Sequence, residues 1–334
     1  MEKVRWGVLS TALIGVEKVI PAIQRSQRGR VTAIASRDKA KAEAAARDLG
    51  IDKSYGSYAE MLADPEVDAV YNPLPNNLHV DLTLQAAAAG KPVLCEKPIA
   101  MNAADAERLR AIGDKVPVME GFMVRFHPQW LWAREQVRSG VLGDLRAIQS
   151  FFSYANLDPD NIRNKPETGG GGLLDIGCYP TVVSRFLFEA EPNQVIALIE
   201  RDPQFGTDRL ATAILDFGNG RRSDFTVSTQ VTPYQRVHAV GTKGRLEIEI
   251  PFNAPQGSRT RVYLDDGAVL GDNARKCHTL AACDQYAEQC DAFARVVLGE
   301  AELPYGIEDA IRMMRILDAL FRSGDSGRWE RPAA

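Results

Sequence analysis

The sequence predicts an α/β protein with a doubly wound parallel sheet at its N-terminal end, followed by an α/β domain on an open, mainly antiparallel sheet. Three observations predict it. Through the first 120 residues, short apolar runs alternate with helical patterns. Beyond them, alternating runs are punctuated by hairpin signals at Gly218-Asn219-Gly220, Gly241-Thr242-Lys243-Gly244 and Asp265-Asp266-Gly267. The length, 334 residues, fits two domains at roughly 150 residues each.

The elements follow in order. Val4 to Leu9 reads as a strand, Glu17 to Arg25 as a helix and Val31 to Ala35 as a second strand. Lys39 to Leu49 is an Ala-rich helix stopped by Gly50, a residue suited to the left-handed C′ position. Ser57 and Glu60 form a capping-box pattern. Val67 to Tyr71 is a strand, Asp81 to Ala89 a helix ended by Gly90, Val93 to Cys95 a strand, Ala103 to Ile112 a helix and Val116 to Glu120 a strand. Strands separated by helices need crossovers, hence parallel pairing with helices on both faces. Such sheets bind ligands at the carboxyl ends of their strands, which singles out the loops after residues 9, 35, 71, 95 and 120. The pattern shifts near residue 122. A helix ending at Gly140 precedes alternating strands at Leu145 to Tyr154, Val195 to Ile199, Leu210 to Phe217, Ser223 to Thr229, Arg236 to Val240 and Arg245 to Ile250. Two helices close the chain, Asp284 to Leu298 and Ile307 to Arg322.

Composition narrows the function. Hydrophobic residues make up 45% and charged residues 25%, the balance of a globular protein rather than a disordered one. A net charge of −4 supplies no basic excess for a nucleic-acid backbone. No run approaches the roughly 18 apolar residues of a membrane span, and the opening MEKVRWGVLS has no apolar signal core. The expected compartment is the cytoplasm, with no membrane or nucleic-acid partner. Cys95, Cys178, Cys277, Cys283 and Cys290 contain no CxxC and are expected as free thiols. His127, His238 and His278 have no metal-ligand spacing, and no metal is expected.

Chemistry concentrates in a few segments. Between the first strand and helix, Ser10-Thr11-Ala12-Leu13-Ile14-Gly15 stands where a dinucleotide fingerprint would read GxGxxG. Ser and Ala are small enough for backbone amides to approach a pyrophosphate at a helix N-terminus, although the segment also fits an ordinary strand-to-helix turn. The second strand ends at Ser36-Arg37-Asp38. An NAD site usually places an acidic residue at this strand end, on the ribose diol. Ser36 and Arg37 instead suit a 2′-phosphate, so NADP is preferred to NAD, with Asp38 turned inward to the ribose as the competing arrangement. Glu96-Lys97-Pro98 puts a lysine at the ligand end of the fourth predicted strand. Gly169-Gly170-Gly171-Gly172 is read as room for the backbone to approach a ligand. Asp175 and Tyr179, four residues apart, share a face if the segment is helical; helix start and packing are their structural alternatives.

The segments RWGVLSTALIG, VYNPLPNNLH, GKPVLCEKP, EGFMVRFHPQ and GGGGLLDIGCYP resemble, in order and over essentially the whole chain, the glucose–fructose oxidoreductase/inositol dehydrogenase/MocA family. The last two most resemble its aldose branch, which includes NADP-dependent D-xylose 1-dehydrogenases and dimeric dihydrodiol dehydrogenases. The resemblance implies a dinucleotide-binding Rossmann domain over residues 1–122. Residues 123–334 would form a substrate-binding and oligomerisation domain whose last helices can pack back on the first. It implies cofactor contacts from Ser10, Thr11, Ala12, Leu13, Ile14, Ser36, Arg37, Pro73, Leu74, Asn76, His79, Glu96, Lys97 and Arg125. Substrate contacts fall to Lys97, Asn161, Arg163, Asp175 and Tyr179. Lys97, Tyr179 and Asp175 form the implied catalytic set, and the Lys97–Pro98 bond is expected to be cis.

The implied reaction moves a hydride from C1 of an aldose to nicotinamide and gives an aldonolactone, with Tyr179 taking the proton. Bringing a tyrosine from a pKa near 10 to about 7 needs roughly 4 kcal/mol of phenolate stabilisation, to which the Lys97 ammonium and oxidised nicotinamide can contribute. Asp175 then orients the substrate hydroxyl or Lys97; His79 is a secondary candidate for the base. The alternatives are a trans-dihydrodiol dehydrogenase, a ketosugar reductase, an aldose–ketose oxidoreductase with tightly held NADP, and a non-enzymatic NADP-sensing regulator. A homodimer is expected, with a homotetramer as the alternative.

Overall fold

The structure, a computed structural model, describes residues 3–270 and 275–332. The chain divides into two compact units, Met1–Met123 with Tyr286–Met314, and Val124–Gln285 with Arg315–Ala334.

In the first unit, β1 (Val4–Leu9), α1 (Ile20–Arg25), β2 (Gly29–Ala35), α2 (Lys39–Leu49), β3 (Lys53–Tyr55), α3 (Tyr58–Leu62), β4 (Ala69–Asn72), α4 (His79–Ala88), β5 (Val93–Cys95), α5 (Ala103–Glu107) and β6 (Val118–Glu120) follow in turn. Their six strands form one sheet in the order β3-β2-β1-β4-β5-β6, and every pairing is parallel. Trp6, Val8, Leu9, Ile34, Val70, Tyr71 and Leu94 are buried in its core. The helix Gln285–Val297 contributes to this unit: the Phe293 ring lies 5.8 Å from that of Trp6, and the Asp291 carboxylate accepts the Arg28 amide at 3.0 Å.

Local chemistry explains most boundaries. Asp38 caps α2 by accepting from the Ala40 and Lys41 amides, and Gly50 closes it at φ 65°. Ser57 caps α3 through the Glu60 amide. Several expectations need correction. Residues Lys53–Tyr55 add an edge strand that the sequence reading lacks: three residues, none fully buried, present no alternation to read. The strands expected from Val67 and Val116 begin at Ala69 and Val118. The helix expected over Ala103 to Ile112 tightens to 3-10 geometry at Arg108–Ile112.

The second unit holds α6 (Pro128–Arg138), β7 (Leu145–Ala155), α7 (Cys178–Phe188), β8 (Gln194–Arg201), β9 (Asp208–Asp216), β10 (Arg222–Ser228), β11 (Gln230–Gly241), β12 (Arg245–Ile248), β13 (Thr260–Asp265) and β14 (Lys276–Leu280). The sheet runs β14-β13-β12-β11-β7-β10-β9-β8. Its pairings are antiparallel except β7 with β10. The three hairpin signals lie at the β9–β10, β11–β12 and β13–β14 connections, although β13 and β14 themselves were not anticipated. On β9, Ala211, Ala213 and Leu215 are buried, whereas Thr212 and Ile214 point outward, the period of a sheet covered on one face. α7 is buried along its whole length.

The glycine run before α7 is crowded by the chain itself, which the sequence does not show. A Cβ on Gly170 would lie 2.5 Å from the Arg163 carbonyl oxygen. Gly171 has φ +114°, and a Cβ there would overlap a carboxylate oxygen of Asp208. The run is small because two backbone segments and a buried carboxylate crowd it. Gly50 differs, since nothing lies within 4 Å of where its Cβ would be. Gly50→Ala should therefore cost only the left-handed backbone penalty, about 1 kcal/mol, while Gly171→Ala should cost more than about 2 kcal/mol because overlap adds to strain. Urea unfolding followed by circular dichroism measures both; equal losses would contradict the crowding at Gly171.

Candidate functional site

In the first unit, the pairing register decides which loops are neighbours. Leu9 pairs with Ala35, Val8 with Tyr71, Asn72 with Cys95 and Cys95 with Glu120. The strand ends therefore form one row, and Ser10, Ser36, Pro73, Glu96 and Gly121 follow directly from it. The sheet order reverses between β1 and β4, the switch point at which doubly wound sheets take ligands.

Ser10 opens the phosphate turn at φ 89°, a conformation usually left to glycine. Its Oγ accepts the Ala12 amide at 3.0 Å, and its own amide donates to the Ala35 carbonyl at 2.7 Å. Thr11, Ala12 and Ile14 are partly exposed, and Leu13 is 72% exposed at the tip. The helix that follows begins with a π turn at Gly15–Val19; such widened turns are common at functional sites.

At the end of β2, Ser36 is buried and its Oγ accepts the Asp38 amide at 3.2 Å. Arg37 is exposed. The Asp38 carboxylate is committed to capping α2, so the alternative in which it turns inward to a ribose is not the arrangement found. A hydroxyl that accepts from the chain and can still donate, an exposed guanidinium and no inward carboxylate make a fit for a 2′-phosphate.

After β4, Pro73 and Leu74 are buried and Asn76 is partly exposed. His79 is 1% exposed, with Nδ1 2.7 Å from the Pro98 carbonyl oxygen and Nε2 2.6 Å from that of Leu74. Burial lowers its pKa to about 4 against the opposing pull of the two carbonyls. His79 thus ties the post-β4 loop to the segment after Lys97. A backbone carbonyl faces each ring nitrogen, and the neutral ring, with its single N–H, donates to one of them.

The Lys97–Pro98 bond is cis. Lys97 and Glu96 are partly exposed, and Glu96 Oε1 accepts the buried Tyr71 hydroxyl at 2.7 Å. Two further residues support this loop and were missed from sequence. Asn72 is buried; its amide nitrogen donates to the His79 carbonyl and the Thr83 hydroxyl, and its oxygen accepts the Leu74 amide. Glu120 is buried and accepts the Ile99 amide at 2.8 Å. Both are polar residues at strand ends, the one signal that could have found them.

In the second unit, Asp175 lies in a π turn, Leu173–Gly177, that runs directly into α7, where Tyr179 sits. Asp175 Oδ2 accepts both the Tyr154 hydroxyl at 2.6 Å and Arg163 Nε at 3.0 Å. Tyr154 was missed: it lies two residues beyond Phe152 on β7 and so shares its face. Phe152 and Phe252 pack around Tyr179, with ring centroids at 5.7 and 5.5 Å. Burial, then Asp175, holds the Tyr154 hydroxyl far above its ordinary pKa. Arg163 is raised first by the Asp175 charge, with lesser contributions from Tyr154 and Tyr179. Asn161 caps the turn before Arg163, accepting its amide at 3.1 Å. Arg125 is buried at the start of this unit.

The chain is similar to known proteins over nearly its whole length. An uncharacterized oxidoreductase of Rhizobium meliloti is 43% identical over 332 residues, covering 99% of each chain. D-xylose 1-dehydrogenase (NADP(+)) 2 of Haloferax volcanii is 39% identical, covering 96% of this chain and 98% of its own. Among solved structures, KijD10, a 3-ketoreductase from Actinomadura kijaniata in complex with NADP and TDP-benzene, is similar with a TM-score of 0.89. It is 29% identical, over 96% of this chain and 98% of that one. Residues 4–125 match the oxidoreductase family with an NAD-binding Rossmann fold, and residues 130–247 match the GFO/IDH/MocA C-terminal domain. Carrying the strand-end row in one unit and the Asp175–Tyr179 helix in the other, the chain belongs to the GFO/IDH/MocA family of oxidoreductases.

Proposed function

We propose that this oxidoreductase is an aldose 1-dehydrogenase, acting on a sugar of the D-xylose or D-glucose type and producing an aldonolactone. The observation that carries the reading is the surroundings of Tyr179. The Tyr179 ring packs against the stacked pair Phe152 and Phe252, and Asp175, on the turn just before it, holds Arg163 of the Ile162–Asn164 turn in an ion pair. A guanidinium near the phenol favours its phenolate, the form that takes a proton from an anomeric hydroxyl. Asp175, held by Tyr154 and Arg163, fixes that guanidinium and presents its carboxylate to substrate hydroxyls; Asn161 and Arg163 complete the sugar contacts. Lys97 contacts the reacting hydroxyl. The relative from Haloferax volcanii, named as a D-xylose 1-dehydrogenase, supports the same substrate class.

NADP is the cofactor. Ser36 and Arg37 would hold its 2′-phosphate, the Leu13 and Ile14 amides its pyrophosphate, and Pro73, Leu74, Asn76, Glu96 and Arg125 its remaining parts, with His79 fixing the loop. When bound, it supplies the hydride acceptor. Similarity to a 3-ketoreductase favours one second reading, reduction of a ketosugar with Tyr179 as proton donor. The outward face of the second sheet carries Leu198, Ile214, Tyr234 and Val240, all exposed; a second copy covering it would make the homodimer, and sedimentation velocity tests this.

The first test is initial-rate NADPH formation with D-xylose, D-glucose, myo-inositol and a trans-dihydrodiol. Turnover of an aldose is expected. NADPH oxidation with ketosugars, without aldose turnover, would replace this reading by the second. Lys97→Met should lower kcat by orders of magnitude with an unchanged circular dichroism spectrum. Tyr179→Phe should do likewise and lose the rising limb of the pH profile; near-normal activity at neutral pH would overturn its role. Arg37→Ala should raise Kd for NADP about tenfold or more, the loss of a charged phosphate contact, and leave NAD little changed. Equal weakening of both would contradict a 2′-phosphate at this position.

A further inference from the structure

The second unit contains a buried carboxylate that the proposed chemistry does not use. Asp208, the first residue of β9, is 2% exposed. Its Oδ2 accepts the Leu173 amide at 2.6 Å, and the Gly172 amide also bonds to it. Burial pushes its carboxyl up to about 7, against the pull of these amides and of Arg201 on β8. A carboxylate in so dry a place is costly unless its partners need it.

The partner that needs it is the start of the site helix. The first amides of any helix lack acceptors within the helix, and a serine, threonine, asparagine or aspartate at the N-cap usually supplies one. Here Gly172 stands at that position and offers no side chain. Asp208 supplies the acceptor from a different element. The chain makes room for it, because Gly171 adopts φ +114° where any Cβ would overlap the carboxylate. Leu173 is two residues from Asp175 and six from Tyr179. The bond from β9 therefore fixes where the helix begins and how it is rotated.

We propose that Asp208 is a positioning residue for the reaction, a cap supplied by β9 that sets Asp175 and Tyr179 in register with the Phe152–Tyr154 face of β7. The consequence for turnover rests on the role given to Tyr179 above; the capping itself does not. Asp208→Ala should lower kcat at least about tenfold, since small misplacements of reacting groups have large effects on rate. The Kd for NADPH, read by fluorescence quenching, should stay unchanged. Amide hydrogen exchange of residues 173–179 should accelerate. Asp208→Asn keeps an oxygen acceptor and should restore kcat to within about threefold of the wild type.

An Asp208→Ala protein with wild-type kcat and wild-type exchange at 173–179 would overturn the proposal. So would an Asp208→Asn protein as impaired as Asp208→Ala. If Asp208→Ala does not fold, Asp208→Glu decides instead: its longer arm should lower kcat at unchanged NADPH affinity, and wild-type kcat would overturn the role. Should the wild type turn over none of the sugars, the substrate reading fails while the exchange measurement still decides for or against Asp208.

Discussion

Parallel pairing sends the carboxyl ends of β1, β2, β4, β5 and β6 to one edge, and everything in the cofactor-facing half of the chemistry depends on it. No loop could place Ser36 beside Ser10, or Glu96 beyond Asn72, without the ladder behind them. The loops then add a second level of order, because buried polar side chains lock them to one another. His79 lies between backbone carbonyls of two different loops and donates to one of them, Asn72 holds the post-β4 turn, and Glu120 grips the amide that follows Pro98. Such groups contribute modestly when paired and cost more when a partner is removed. That asymmetry makes them suited to holding the Lys97 segment in one conformation.

The second unit solves its positioning problem through the face shared by alternate residues of a strand. Residues two apart on a strand are about 6.7 Å apart. Phe152 and Tyr154 on β7 therefore meet Tyr179 and Asp175 on the site helix, apolar ring against ring and hydroxyl against carboxylate. The π turn at Leu173–Gly177 lies under this contact. The same four residues thus divide into an apolar ring contact and a hydroxyl–carboxylate pair whose carboxylate fixes Arg163.

What was legible in the sequence follows the range of the physics. The first sheet, most helix boundaries and the hairpin turns depend on neighbours in the chain, and Lys39–Leu49 with its Gly50 stop can be read directly. The segments on which the candidate site is proposed stand out through a five-segment resemblance and the strand-end rule. Contacts that close over long separations were not. Tyr154 reaches Asp175 across 21 residues, and Asp208 reaches Leu173 across 35. Neither distance leaves a trace in local pattern. The glycine run was visible, but sequence shows that space is needed without showing which chain segments crowd it.

The phosphate turn shows how a departure from a pattern can preserve what the pattern does. A glycine at position 10 would reach φ 89° without cost, whereas serine pays about 1 kcal/mol for it. Serine, however, brings an oxygen that binds the Ala12 amide, a gain of similar size. It also narrows the turn in the unfolded chain, where glycine would add freedom to be lost on folding. At the third position the usual argument for glycine is weak, because a Cβ on Gly15 would make only ordinary contacts with Pro73 and Tyr71. The turn is thus shaped by a side-chain hydrogen bond at its first residue more than by glycine freedom along its length. A stiffer turn needs less ordering when it closes on a pyrophosphate, so the loss of two fingerprint glycines is compatible with a pre-formed cofactor site.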